Sequence, residues 1–314
     1  MSDSCRIITV GLNPAVDRVI EVPELKLGAH QTGREVSCCP GGKAFNVTRV
    51  IASFGLECIA TGFLGRENES AFAPLLSAEH VIDRMIRLAG PTRVNITLAD
   101  PVNHVDTHIR DAGLSVDAAG LEKLERMLDE LVGPTSTVIF SGSLPPGMEG
   151  KDQNRLIGRV RAAGGRVVLD SHGPAVAELT EPIALASPNQ AELGDWTGRT
   201  VETREEVLAG AESMLGRVEA VLVSLGAEGA MWIDASQRWI ARLGQMIAPA
   251  VNTVGCGDAL LGACIAARMG GADPAEALRT AVATASAAAI SPLPAVFDPS
   301  VRDELARRID VEAV

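Results

Sequence analysis

From about residue 121 to about residue 291 the sequence alternates short apolar runs with segments whose apolar residues recur at helical spacing. Leu121–Val132 reads as a helix, Thr137–Ser141 as a buried strand, Lys151–Ala163 as a helix stopped by Gly164 and Gly165, and Arg166–Asp170 as a strand. Ile183–Ser187 is a further short strand. Thr203 and Glu206 have capping-box spacing and open a helix to about Arg217, followed by a strand at Val221–Leu225. Asp258–Met269 reads as an apolar helix stopped by Gly270 and Gly271, and Asp273-Pro274 starts another that ends near Ser291-Pro292. Repeated strand–helix–strand order requires right-handed crossovers. It therefore predicts an α/β fold: a doubly wound, mostly parallel sheet with helices on both faces. Aromatic residues make up only 3% of the chain and tyrosine is absent, so Ala, Val, Leu and Ile must fill the core, as suits a parallel sheet under alanine-rich helices.

Two regions break the rhythm. Residues 12–40 and 91–112 carry alternating runs such as Arg93–Leu98 and Val105–Ile109, a pattern with one face buried and one face wet. They predict a small β-sheet projecting from a single domain over residues 1–314, placed to act as a lid. The helix after the first of these regions is expected at Val47–Phe54.

A net charge of −12 excludes a general nucleic-acid or anionic-membrane surface, and it requires any anionic ligand to be met by a local cluster of cations. No segment has the ~18 consecutive apolar residues of a membrane span, and a strand-like run at Arg6–Val10 starts with no signal-peptide pattern before it. The six cysteines, Cys5, Cys38, Cys39, Cys58, Cys256 and Cys264, show no CxxC spacing and read as reduced thiols. These features fit a soluble cytoplasmic protein. The five histidines show no ligand spacing and read as surface or packing residues.

In a doubly wound sheet, ligands bind beyond the carboxyl ends of the strands. Those ends carry Ser141-Gly142-Ser143, Asp170, Ser187-Pro188-Asn189 and Ser224-Leu225-Gly226. Asn252–Asp258 sets two glycines before a helix, so free amides there can hold an anion while the Asp258 carboxylate takes a proton from a hydroxyl. A plain loop with Asp258 as its cap fits the same residues. No GxxxxGK[ST] loop is present, and Leu260 takes the third glycine position of a GxGxxG, which removes the dinucleotide fingerprint of a nicotinamide dehydrogenase. Pro40–Asn46 offers paired glycines for close approach, Lys43 as a cation and Asn46 for sugar hydroxyls, or simply a turn before a helix. Asn189 and Glu192, three apart on a first helical turn, suit Mg²⁺ held directly or through water; a helix cap is the alternative. Ser224–Gly229 suits close nucleotide approach or a hairpin turn. Asp17 lies just past the first strand, and Arg93 has the fork of donors that pairs with phosphate.

Taken in order along nearly the whole chain, these segments resemble the phosphofructokinase-B (ribokinase-like) carbohydrate kinases. Gly41-Gly42-Lys43 is similar to that family's first signature, and Asn252–Asp258 with its apolar helix to the second. Asn13–Asp17, Gly62–Gly65, Thr92–Ile96, Ser141–Gly147 and Ser224–Ala230 look most like its hexose-phosphate branch, closest to the fructose 1-phosphate kinases. The resemblance implies Asp258 as general base and the amides of Gly255, Cys256, Gly257 and Asp258 as anion hole. It implies Asp17, Gly41, Gly42, Lys43 and Asn46 around the sugar, with Arg93 and Ser143 on its phosphate. ATP would meet Asn189, Ser224, Gly226, Gly229 and Thr253, with Mg²⁺ at Asn189 and Glu192, and two subunits would pair through their lids as a homodimer. Tagatose 6-phosphate, fructose 6-phosphate and unphosphorylated sugars are the alternative acceptors, and a sugar-phosphate sensor with little turnover the non-enzyme alternative. The sequence departs from the family pattern at four places, one of them Cys256 in place of a small alanine, which a hole built from backbone tolerates. Ala44 stands where the family has glycine, Ser187 where it has lysine, and Arg34 is the one candidate for a basic residue ahead of the glycine pair.

Overall fold

The computed structural model describes residues 6–103 and 105–314; Cys5 and His104 lie outside them. In chain order, β1 (Ile7–Gly11), β2 (Ala15–Glu21) and β3 (Arg34–Gly41) precede α1 (Lys43–Ser53). Then come β4 (Cys58–Gly65), α2 (Ala73–Leu76), β5 (Val81–Leu88), β6 (Arg93–Asp100) and β7 (Val105–Ile109). The middle of the chain runs α3 (Ala118–Leu131), β8 (Thr137–Ser141), α4 (Gly150–Ala162), β9 (Arg166–Asp170) and α5 (Pro174–Ala177). It continues through β10 (Ile183–Ala186), α6 (Gln190–Thr197), α7 (Arg204–Met214) and β11 (Val218–Ser224). The last elements are β12 (Ala230–Asp234), β13 (Arg238–Leu243), α8 (Cys256–Met269), α9 (Pro274–Ile290), α10 (Pro299–Ala306) and β14 (Ile309–Ala313).

The ten-stranded sheet has the order β14-β13-β12-β11-β10-β9-β8-β1-β4-β5. Every pair from β5 to β11 is parallel, and the edge beyond β11 is antiparallel. Successive strand residues point to opposite faces, so the central strands divide between two cores. Val138 and Phe140 of β8 and Val221 and Val223 of β11 meet Leu124, Leu128, Leu156 and Val207 from α3, α4 and α7. Ile139 and Leu222 point the other way, toward Ile51, Leu261, Ile265 and Leu278 of α1, α8 and α9. The alternating pattern read from residue 121 onward is therefore the fold that forms.

Several helix boundaries differ from the periodicity reading, among them the start of α3 at Ala118, three residues before Leu121, where Asp117 caps the helix. α1 starts at Lys43, four residues before Val47, because Gly42 (φ 94°) takes the N-cap position; Lys43 and Asn46 thus lie on its first turn. α8 starts at Cys256 with Gly255 as N-cap, so Asp258 is the third helical residue and not the cap. α7 stops at Met214, short of Arg217.

The small sheet is present, with strand order β3-β2-β6-β7 and β2 parallel to β6. Its corner is tied by one buried carboxylate. Asp100 accepts hydrogen bonds from the backbone amides of Glu24, Leu25, Val102 and Asn103 and from the Asn103 side chain. These donors hold its carboxyl well below the usual range. Removing the carboxylate leaves four loop amides without their acceptor. Asp100→Ala is expected to open the segment between β2 and β3 to native-state proteolysis at a rate roughly tenfold above wild type while the main sheet keeps its amide-exchange protection. An unchanged cleavage rate at that segment would show that Asp100 does not order it.

Candidate active site

The carboxyl ends of β1, β8, β9, β10 and β11 open into one cavity of about 630 Å³, closed on one side by β2 and β6 of the small sheet. Its wall includes Asp17, Gly42, Lys43, Asn46, Arg93, Ser143, Asn189, Glu192, Ser224, Gly255, Gly257 and Asp258. A second cavity of about 370 Å³ shares Ser224 and Gly257 with the first and continues over Gly226, Gly229, Thr253 and Cys256. The rest of it is largely apolar, with Leu243, Met246, Leu260 and Val282. Of the residues given catalytic, substrate, ATP or metal roles from sequence, all but Gly41 line one of the two cavities. Gly41 stands behind Asp17, where a Cβ would lie 1.9 Å from the Asp17 carboxylate, so its role is to leave that side chain room.

Asp258 is 6% exposed at the amino end of α8. It is brought there by the close packing of α8 on α1, where Val50 meets Ala259 and Ala263. Across the same seam Asn46 donates from Nδ2 to Asp258 at 2.7 Å. The Asn46 oxygen accepts from Arg49 at 2.8 Å, and Arg49 also donates to the carbonyls of Pro40 and Pro294. Arg49 thereby keeps the amide of Asn46 turned toward Asp258, a positioning role that sequence reasoning missed because Arg49 sits outside every motif. Gly255 has φ 78°, a backbone conformation suited to glycine, and no side chain caps the helix, which leaves the first-turn amides unmet by any side chain.

Lys43 reaches across the cavity to Asp170 at 2.8 Å and Glu192 at 3.2 Å. Asp170 also accepts from Ser141 Oγ at 2.7 Å. Burial pulls the Lys43 ammonium down, but Asp170 and Glu192 outweigh it and the net shift is upward. Three carboxylates thus face one lysine. Burial, and then the charge of Asp170, pushes Asp258 up to about 7, against the opposing pull of Lys43 and Asn46. Asp170 was visible in the sequence as a strand-end residue but had no partner there; its partner lies 127 residues away.

The first turn of α6 realises the capping reading of Asn189 and Glu192: each side chain accepts from the other's backbone amide. Both still line the cavity. Among the described residues, no group of three or more His, Cys, Asp or Glu side chains is arranged to hold a metal. Asn95, also unassigned from sequence, donates to Asp17 at 2.9 Å, and its own buried Oδ1 has no partner among the described residues. His172 lines the cavity 4.0 Å from Glu192, which places one of the histidines read as surface residues at the site. Burial, and then Asp258, pushes the Cys256 thiol up to about 11, so it stays protonated. Arg34 pairs with Glu21 on the small sheet and is absent from the cavity wall. No helix among the described residues is long and apolar enough to cross a membrane.

Residues 6–296 match the family model for pfkB family carbohydrate kinases. The chain is 34% identical to the 1-phosphofructokinase of Xanthomonas campestris pv. campestris over 87% of each protein. It is 30% identical to the 1-phosphofructokinase of Escherichia coli K12, over 98% of this chain and 99% of that one. Phosphofructokinase-2 from E. coli superposes with a TM-score of 0.89 at 25% identity, covering 96% of this chain and 98% of that chain.

The raised Asp258 carboxyl has a consequence for stability. Between its ordinary range near 4 and about 7, the folded protein holds a proton that the unfolded chain has released, so this group's contribution to stability falls as pH rises through that window. Asn at this position carries no such cost. Asp258→Asn is expected to melt above wild type by on the order of 5 °C near pH 8, with the gap closing toward pH 4. Parallel melting curves across pH would show Asp258 to be ionised at no cost.

Proposed function

We propose that this chain, which belongs to the pfkB family of carbohydrate kinases, transfers the γ-phosphoryl group of ATP to fructose 1-phosphate, giving fructose 1,6-bisphosphate. ATP-dependent phosphorylation of a carbohydrate is the activity its relatives establish; the acceptor and the residue roles are the proposal. The observation that carries it is the placement of Asp258. A buried carboxylate poised near neutrality sits beside helix-start amides that no side chain caps, in the same cavity as Lys43, Arg93 and Arg110.

In this reading the acceptor hydroxyl gives its proton to Asp258 as its oxygen bonds to the γ-phosphorus and the bond to ADP breaks. The amides of Gly255, Cys256, Gly257 and Asp258 face the negative charge on the transferring group, where the start of α8 favours an anion. Asp17, Asn46 and Asn95 suit the sugar hydroxyls, the last through its unpartnered oxygen. The apolar second cavity, with its polar mouth at Ser224 and Thr253, suits adenosine. Asn189 and Glu192 would hold Mg²⁺ through water, as that ion's preference for few protein ligands allows, and it would neutralise phosphate charge on ATP. The small sheet acts as the lid that keeps competing water out. The exposed Val36, Val105 and Ile109 on that sheet suit pairing with a second copy.

Two measurements test the reading. With Mg-ATP and a panel of acceptors, ADP release is expected fastest with fructose 1-phosphate and at least ~100-fold lower in kcat/KM with free fructose. Free sugars working as well as phosphorylated ones would sink the acceptor assignment. The rate is also expected to fall about tenfold per pH unit below about 7, where Asp258 protonates, and Asp258→Asn to lose roughly 10²–10⁴ in kcat with little change in KM. Near-full activity of that variant would remove Asp258 from the role of base.

A further inference from the structure

We propose that Arg49 is a positioning residue that ties the small sheet to the reaction centre, so that Asp258 is aligned only while that sheet sits over the cavity. The inference rests on the reading of Asp258 as base and deepens it. Arg49 lies on α1, half-buried, and its fork reaches three walls. Nη2 donates to the Pro40 carbonyl at 3.0 Å, at the end of β3 where the small sheet joins the main domain. Nη1 donates to Asn46 Oδ1 at 2.8 Å and to the Pro294 carbonyl at 3.1 Å. Asn46 in turn donates to Asp258. Pro294 precedes Ala295, which is buried and held at φ 52°. A Cβ on Gly255 would come within 3.0 Å of the Ala295 nitrogen, so this segment backs the turn that starts α8.

Arg49 is in no ion pair among the described residues, and burial pulls its pKa down against the charges of Cys39, Asp258 and Asp17. A guanidinium taken from water without a carboxylate in contact is costly, and what it gains here is one rigid set of donors for three segments. The junction it spans is short. Gly41 and Gly42 alone separate Pro40 from α1, and Gly42 stands at φ 94°. β3 is paired to β2 along its length, so it moves with the sheet that carries Asp17 and Asn95. A displacement of that sheet therefore pulls on Pro40 and reaches Arg49 with no loop between to absorb it. With the Pro40 bond broken, the fork loses an anchor and the Asn46 amide is free to turn away. Asp258 then loses the donor that favours its ionised form, while Asp170 and Glu192 still oppose ionisation and Lys43 still favours it. The base is poor until a sugar has drawn the sheet closed, which protects ATP from water in the meantime.

The test uses Arg49→Lys, which keeps the charge and loses the fork, and Arg49→Gln, which loses both, in the full chain. Arg49→Lys is expected to lower kcat with fructose 1-phosphate roughly 10- to 100-fold, with KM for the sugar within about threefold of wild type. Phosphoryl transfer to water without acceptor, giving ADP and inorganic phosphate, should stay within about twofold, because the sheet is then open in both proteins. The acid limb of kcat should also move up by about one pH unit as Asn46 turns away. Both rates falling together, an unchanged kcat, or an unmoved acid limb overturns the proposal. Amide exchange supplies an arm that does not depend on Asp258. Both variants are expected to exchange faster over residues 34–41 and 293–296 and at Ala259, whose amide donates to the Gly255 carbonyl, while the main sheet keeps its protection. Faster exchange in α1 alone, or evenly across the fold, overturns the tie. If Asp258→Asn keeps near-full activity, the base reading fails, and the exchange pattern still decides whether Arg49 joins these segments.

Discussion

The architecture of the site depends on burying the Asp258 carboxylate beside two others with one lysine among them. Placing Asp170, Glu192 and Asp258 around Lys43 is costly, because a low-dielectric wall magnifies repulsion as well as attraction. The structure relieves the cost in two ways. Asp170 and Glu192 take the ammonium directly and accept further bonds from Ser141 and from the start of α6. Among the described residues the Asp258 carboxylate receives a side-chain hydrogen bond only from Asn46, and it keeps a high affinity for its proton. One lysine satisfying two neighbours thus leaves the third carboxyl poised near neutral pH, which a proton acceptor needs.

That arrangement constrains elements far apart in sequence. Asn46 meets Asp258 only because small residues let α1 and α8 pack closely: a Cβ at Gly262 would come within 2.9 Å of Val50. Lys43 points into the cavity because Gly42 ends β3's run and begins α1 in a single residue. Arg49, six residues on, fixes the Asn46 amide. The first signature segment is thus a helix start that delivers a cation, an amide and a supporting guanidinium to the site. Of the paired glycines, Gly41 leaves room for the Asp17 carboxylate and Gly42 takes the N-cap position of α1.

The main sheet was legible in the sequence because its strands are short apolar runs separated by clear stops, and strand ends in a parallel sheet name their own face. The small sheet was legible from alternation, as in Arg93–Leu98. Long-range pairing was hidden. Lys43 and Glu192 lie 149 residues apart and Asn46 and Asp258 lie 212, and nothing in a local pattern reports either contact. The start of α1 was missed because Lys43-Ala44-Phe45-Asn46 carries polar residues at the positions that face a cavity instead of a core, which blurs the amphipathic signal. The same effect placed α8 two residues late at Asp258.

Arg93 shows what orientation adds to residue type and location. An arginine in an alternating strand at the mouth of a cavity satisfies every sequence criterion for a phosphate ligand. Its nitrogens meet three carbonyls in two different segments, and those of Asn13 and Pro14, both buried, would otherwise lack this donor. A guanidinium carries several donors and can serve several loop carbonyls at once. An arginine committed in this way holds the cavity's shape whether or not an anion is present.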